Sequence, residues 1–199
     1  MNFKAYDIIS KLLPGLALVY SLIFLYGDFE SYSNADYILP ITVIAFFIGY
    51  LIDAISSWLE DFYYLTWKGK PSTRLLTKNK GVWKVTVPPY LNEVKIKVRE
   101  LIGHDISDDE VFQFTQNSAY KSNKERISDF LQSYVFARVF LTLIIILAVL
   151  FATKYFCHWQ FFAISLPMIF VSWLRAKQRA YYYAVEVLRV YFNSEMNNI

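Results

Sequence analysis

The alternation of apolar blocks and polar stretches divides this chain into parts. Four apolar blocks stand out: Leu12 to Tyr26, Ile38 to Trp58, Tyr134 to Phe156 and Phe161 to Leu174. The second, ILPITVIAFFIGYLIDAISSW, is long enough for a bilayer crossing, which takes about 20 apolar residues in a helix. The first is shorter, so a span from about residue 10 to residue 27 needs local thinning or an aromatic belt. Its basic start and apolar core also fit a secretory leader, but Gly27-Asp28-Phe29-Glu30 offers no small-x-small cleavage site and further apolar blocks follow. The pattern predicts an all-α polytopic membrane protein with four transmembrane helices and a small, mainly helical cytoplasmic region. The expected organisation is a first transmembrane pair in 1–58, a cytoplasmic helical region in 59–133, a second transmembrane pair in 134–174, and in 175–199 a helical extension of the fourth span.

Within the second block, Gly49, Asp53, Ser56 and Glu60 fall on one narrow helical stripe. Small residues allow close backbone approach, and an ionisable group in lipid needs a partner, so this stripe is expected to face other helices. Arg138, a turn inside the third block, is the expected partner of Asp53. Together these five residues form the predicted intramembrane polar interface.

The polar stretches differ in charge. Eighteen of the twenty basic residues lie before the first block, between the second and third, or after the fourth, leaving Lys154 at the opposite end and Arg138 inside a span. This asymmetry predicts a multi-pass protein of the bacterial inner membrane with both termini cytoplasmic. Composition agrees, with 56% hydrophobic and 19% aromatic residues and a mean hydropathy of +0.30. The single cysteine, Cys157, excludes an internal disulfide framework.

Between the second and third blocks the pattern is mostly helical. Ser107-Asp108-Asp109-Glu110 and Ser122-Asn123-Lys124-Glu125 each have the hydroxyl and glutamate spacing of a capping box. The first predicts a helix to about Tyr120, the second a helix running unbroken into the third span. Pro89 to Ile102 predicts another helix, ended by Gly103. Val82 to Val87 alternates as a short strand would, stopped by Pro88-Pro89. After the fourth block, Arg175, Arg179, Tyr182, Glu186 and Arg189 share one helix face.

Candidate chemistry changes this picture little. There is no cluster at metal-ligand spacing, no glycine-rich nucleotide loop and no G-x-S-x-G turn, and no cofactor is predicted. Arg99 and His104 have the spacing of the active-site motif of HEPN ribonucleases, which the family completes across a dimer. Here Glu100 follows the arginine and Gly103 breaks the helix before the histidine, so the alternative is a solvent-facing arginine and a turn-capping histidine. Charge segregation says more. Nine basic residues from Lys68 to Arg99 meet one acid, Glu93, whereas five acids from Glu100 to Glu110 meet no lysine or arginine. Lys68, Lys70, Arg74, Lys78, Lys80 and Lys84, with Arg175 and Arg179, are the expected contacts to anionic headgroups or a partner, and nucleic acid is a weaker alternative. The acidic block is expected to dock on the basic block of a neighbouring subunit or a partner protein.

The succession YDIISKLLPG, GYLIDAISSWLE, KPSTRLL, ISDDEVF, YVFARVF and RAKQRAYYYAVEVLRVYF resembles a group of small bacterial four-span proteins over nearly the whole chain. These resemble the multi-spanning accessory proteins of type VI-B CRISPR loci and other membrane components of phage-defence systems. The resemblance implies a non-enzymatic inner-membrane component of an antiviral defence system, homo-oligomeric, acting as a pore-forming effector or as regulator of a cytoplasmic defence protein or nuclease. The alternatives are a membrane-tethered ribonuclease and a passive anchor for a partner enzyme.

Overall fold

A computed structural model describes residues 5–27, 35–78, 81–102 and 106–195. The chain is all-α, with α1 over Ala5–Tyr26, a 3-10 turn at Ala35–Tyr37, α2 over Ile38–Trp58, α3 over Glu60–Thr66 and α4 over Pro71–Lys78. Then follow α5 over Leu91–Ile102, α6 over Asp108–Ser122, α7 over Lys124–Tyr155 and α8 over Trp159–Glu195. Four of these, α1, α2, α7 and α8, are long and apolar enough to cross a membrane. At 1.5 Å per residue, the 32 residues of α7 and the 37 of α8 exceed the roughly 30 Å hydrocarbon core. Each therefore continues well past any span it makes.

The contacts divide the chain into two compact units, Met1–Glu60 with Phe136–Trp173, and Asp61–Val135 with Leu174–Ile199. In the first unit α1 and α2 run antiparallel. Gly15 meets Ala45, and Gly49 meets Lys11. Val19, Ile41 and Ala45 are buried between the two helices, with Leu12, Leu16, Ile23 and Ile48 packed around them. Without a hydrophobic driving force in lipid, such close approach of small residues is what gains dispersion contact. The C-terminal turn of α1 has no basic residue of its own, and α7 supplies one. Lys154 Nζ donates to the Leu25 carbonyl and stands 4.9 Å from the centroid of the Tyr26 ring. Tyr26 and Thr153 share a 2.6 Å hydrogen bond, and Phe24 stacks on Phe151 at 6.4 Å. On the outer faces Leu39, Phe47, Tyr50 and Leu51 of α2 and Ile164, Phe170 and Val171 of α8 are exposed, as lipid-facing side chains would be.

The second unit is built around α8. From Ala180 to Tyr191 almost every residue is buried, small alanines at 180 and 184 alternating with Tyr181, Tyr183 and Tyr191. A helical stretch buried on nearly every side belongs at the centre of a packed unit. Leu91, Val94 and Val98 form the buried stripe of α5, and Val111, Thr115 and Ala119 that of α6. The α5 helix begins at Leu91 rather than Pro89. The Ser107 capping box is present, its side chain accepting from the Glu110 N–H while Glu110 reaches back to the Ser107 N–H. The second box is one residue out of place. Because α6 runs through Ser122, Asn123 caps α7 instead, its Oδ1 accepting from the Arg126 N–H at 3.2 Å. The expected strand at Val82 to Val87 is reduced to one isolated bridge between Val82 and Val85, since no second strand is available among the described residues to pair with it.

Candidate functional sites

The charged residues of the polar stripe form ion pairs inside one chain, with partners other than the expected one. Asp53 pairs with Lys11 of α1, and Arg138 of α7 pairs with Glu60 at the start of α3. Asp53 and Arg138 therefore do not form the expected pair. The reason is length. α1 begins by Ala5, which puts Lys11 well inside a helix rather than in a polar leader, and antiparallel packing carries it to the level of Asp53. Gly49 lets this happen, because its missing side chain admits the Lys11 backbone. Ser56 is fully buried and bonds the Asp53 carbonyl at 2.8 Å. Arg138 is 7% exposed, so its charge is held out of lipid by Glu60.

The acidic block docks in its own chain. Asp108 accepts from Thr77 of α4 at 2.6 Å, pairs with Lys95 of α5 at 2.6 Å and lies 3.5 Å from Arg99. Asp109 accepts from Thr73 at 2.5 Å. One carboxylate thus joins α4, α5 and α6, and Asp108 and Asp109 of the acidic block are engaged within their own chain. Burial by itself raises the Asp108 carboxyl, but the hydrogen bonds from Lys95 and Thr77 and the charges of Lys95 and Arg99 outweigh it and hold the group below the usual carboxylate range. Arg99 is used in this network and also donates to the Ile106 carbonyl at 3.3 Å. His104 lies outside the described residues.

The expected cationic residues are dispersed over the second unit. Lys68, Lys70, Lys84 and Arg175 are exposed, Arg74 and Arg179 half-buried, Lys78 ends α4, and Lys80 lies outside the described residues. Arg175 donates to Gln178 at 3.0 Å, while Arg74 turns inward to the Trp67 carbonyl.

Sequence reasoning missed a cleft of about 340 Å³ in the same unit. One wall is the non-helical segment Lys84 to Tyr90; the other is formed by Phe130 of α7 and by Tyr182, Val185, Glu186 and Arg189 of α8. Tyr182 and Gln178 hold the segment in place by donating to the carbonyls of Lys84 and Trp83, both at 3.2 Å. Prolines 88 and 89 take two N–H donors out of it. Glu186, only 2% exposed, lies at the base between two arginines, Arg126 at 2.5 Å and Arg189 at 3.2 Å. Tyr90 stacks on Phe192 at 4.5 Å, and burial raises its hydroxyl although the nearby Arg189 guanidinium acts against it. The cleft therefore offers aromatic faces, open backbone and the partly exposed cations Lys84 and Arg189. The signal available in sequence was Glu186 among Arg179, Tyr182 and Arg189, but helical periodicity reads that set as a solvated face. Among the described residues no three carboxylate, histidine or cysteine side chains are placed to hold a metal ion. No protein-family model, curated protein or solved structure matches this chain.

Proposed function

We propose that this protein is a non-enzymatic, multi-pass component of a bacterial cytoplasmic membrane, both termini cytoplasmic, that regulates or docks a cytoplasmic partner through the helical unit around α8. The observation that carries this reading is the cleft over Glu186. Burying a carboxylate is unfavourable unless it is paired, and two arginines are spent holding this one beneath an open, aromatic-walled surface. The charges of the α2 stripe fit this reading, since Asp53 and Glu60 each have a cation in the same chain. The likeness to four-span components of phage-defence loci supplies the setting, and the cationic surface suits an acidic partner.

A homo-oligomeric pore is the second reading, favoured by the fourth span, whose most apolar window is only 11% buried within the chain. The test is a phage challenge of cells carrying the native locus, with an impermeant dye and a membrane-potential reporter present. The docking reading expects protection without depolarisation, lost in a Tyr182→Ala, Arg189→Glu variant that still inserts normally. Depolarisation that accompanies protection and survives the cleft variant would establish the pore instead. Absence of protection from the intact locus would remove the defence setting.

A further inference from the structure

The turn that leads into the cleft wall carries an arrangement of its own. Val82 to Val85 is closed by the Val85 N–H on the Val82 carbonyl at 2.7 Å, and Lys84, its third residue, has a positive φ of 63°. That position ordinarily takes glycine or asparagine. The lysine found there sets its ammonium 5.0 Å from the centroid of the Trp83 ring. Trp83 is 70% exposed, so the turn presents a large apolar ring with a cation beside it. The turn is held to α8. The Gln178 amide accepts from Arg175 at 3.0 Å and donates to the Trp83 carbonyl at 3.2 Å, and Tyr182 donates to the Lys84 carbonyl at 3.2 Å.

The level of Gln178 on α8 decides what that ring meets. If the hydrocarbon ends with the fourth apolar block at Leu174, Gln178 lies about 6 Å of helix beyond it. If the crossing takes the full thickness of about 30 Å from Trp159, where α8 begins, it ends at Gln178 itself. The headgroup layer is about 5–7 Å thick on each side, so either boundary puts Gln178, and the Trp83 carbonyl bonded to it, in or at the edge of that layer. A second apolar feature of the same unit follows α2. On α3, Phe62 and Leu65 are three residues apart and exposed, whereas Tyr63 and Trp67 are buried. Phe62 comes four residues, at most about 6 Å of helix, after Trp58 at the end of α2. Helical side chains tilt toward the N-terminus, which here is back toward the span. Tryptophan is favoured at the membrane–water boundary, and a lysine stem lets its ammonium reach the phosphates from there. We propose that Trp83 with Lys84, and Phe62 with Leu65, seat the second unit on the bilayer surface by inserting their apolar groups into the headgroup layer. The inference requires α2 and α8 to cross the membrane and is independent of what occupies the cleft.

The test uses the full chain with Cys157→Ser, reconstituted in phosphatidylcholine bilayers and carrying a nitroxide on Trp83→Cys, on Phe62→Cys or, as control, on Ile96→Cys of α5, which is also exposed. Electron paramagnetic resonance reads collisions with oxygen, which concentrates in lipid, against collisions with a water-soluble nickel chelate. The ratio should be at least about 3-fold higher at positions 83 and 62 than at position 96. All three positions are exposed side chains, so labelling them leaves the packed interior intact. In the native chain, lipid brominated in its acyl chains should quench a fluorescence component that Trp83→Phe removes, which reads the tryptophan itself without a label. A ratio at position 83 no higher than at position 96, or the absence of that quenched component, would overturn the anchor and leave the exposed ring to a protein partner. A low ratio at position 62 alone would remove α3 from the contact. A high ratio that appears only when phosphatidylglycerol is added would show attraction by the lysine charge and overturn insertion.

Discussion

Replacing Gly49 by alanine should separate α1 from α2. A Cβ at that position would stand 2.6 Å from the Lys11 carbonyl carbon and 3.2 Å from its Cα, against the 3.4 Å at which ordinary contact begins. The obstacle is backbone of the neighbouring helix, which no rotamer change can move. The Lys11 carbonyl oxygen stands closer still, so to admit the methyl group the helices must part by well over the roughly 0.8 Å that the carbonyl carbon alone would require. A gap of 0.5–1 Å forfeits about a quarter to a half of each dispersion contact it opens, and forced overpacking typically costs about 1–3 kcal/mol. Alanine also favours the helix over glycine by about 1 kcal/mol, which offsets part of that cost. The net expectation is a loss of about 1–2 kcal/mol, larger if the Lys11–Asp53 pair stretches with the helices. The measurement is reversible unfolding in mixed micelles by increasing sodium dodecyl sulfate, followed by tryptophan fluorescence. Tyr50→Ala, on the exposed flank of the same helix, is the control. If Gly49→Ala were neutral or stabilising, the helices would not cross at this glycine and the assignment of the α1–α2 contact would be wrong.

Double-mutant cycles in the same assay should give coupling of about 1–3 kcal/mol for Lys11→Gln with Asp53→Asn and for Glu60→Gln with Arg138→Gln, and less than about 0.5 kcal/mol for Asp53→Asn with Arg138→Gln. Appreciable coupling in the last cycle would restore the pairing that the sequence suggested. Asp108→Asn should destabilise the second unit by about 1–2 kcal/mol, because one carboxylate joins three helices; hydrogen exchange in α4 and α6 would report it. The folded carboxyl of Asp108 is held below its unfolded value, so its contribution is full above about pH 4 and is lost as pH falls through the lower folded value. The wild type should therefore lose stability on acidification below about pH 4 more steeply than Asp108→Asn, and parallel curves would refute this. Glu186→Gln leaves Arg126 and Arg189 without their anion and should cost about 2–3 kcal/mol, below the range for fully buried pairs because both arginines are about half exposed. A change under 0.5 kcal/mol in chemical unfolding would show that the cleft base is not held by this charge triad.

The apolar blocks alone determined the class of this protein. Four separate apolar runs are a property of composition and order along the chain, and the helices that contain them are each long and apolar enough to cross a bilayer. The helix start at Ser107 was equally local, since a capping box involves only residues three apart. The second start shows where local rules stop. Both Ser122 and Asn123 can cap, and α6 settled the matter by running through Ser122. The alternating Val82 to Val87 had a strand's pattern, but a strand also needs a neighbour, and one bridge was all the surrounding chain supplied. Charge pairing was the least legible feature. Asp53 met Lys11 across 42 residues and Glu60 met Arg138 across 78, and the acids at Asp108 and Asp109 met α4 and α5 of their own chain. Sequence gives the number and spacing of charges, but which two come within reach depends on helix length and crossing. Glu186 is the clearest case: periodicity reads it on a solvated face with Arg189, whereas the packing of α8 at the centre of its unit buried it and made the cleft. Hydrophobic periodicity reports the faces a helix could bury, and only the packing of its neighbours decides which of them it does bury.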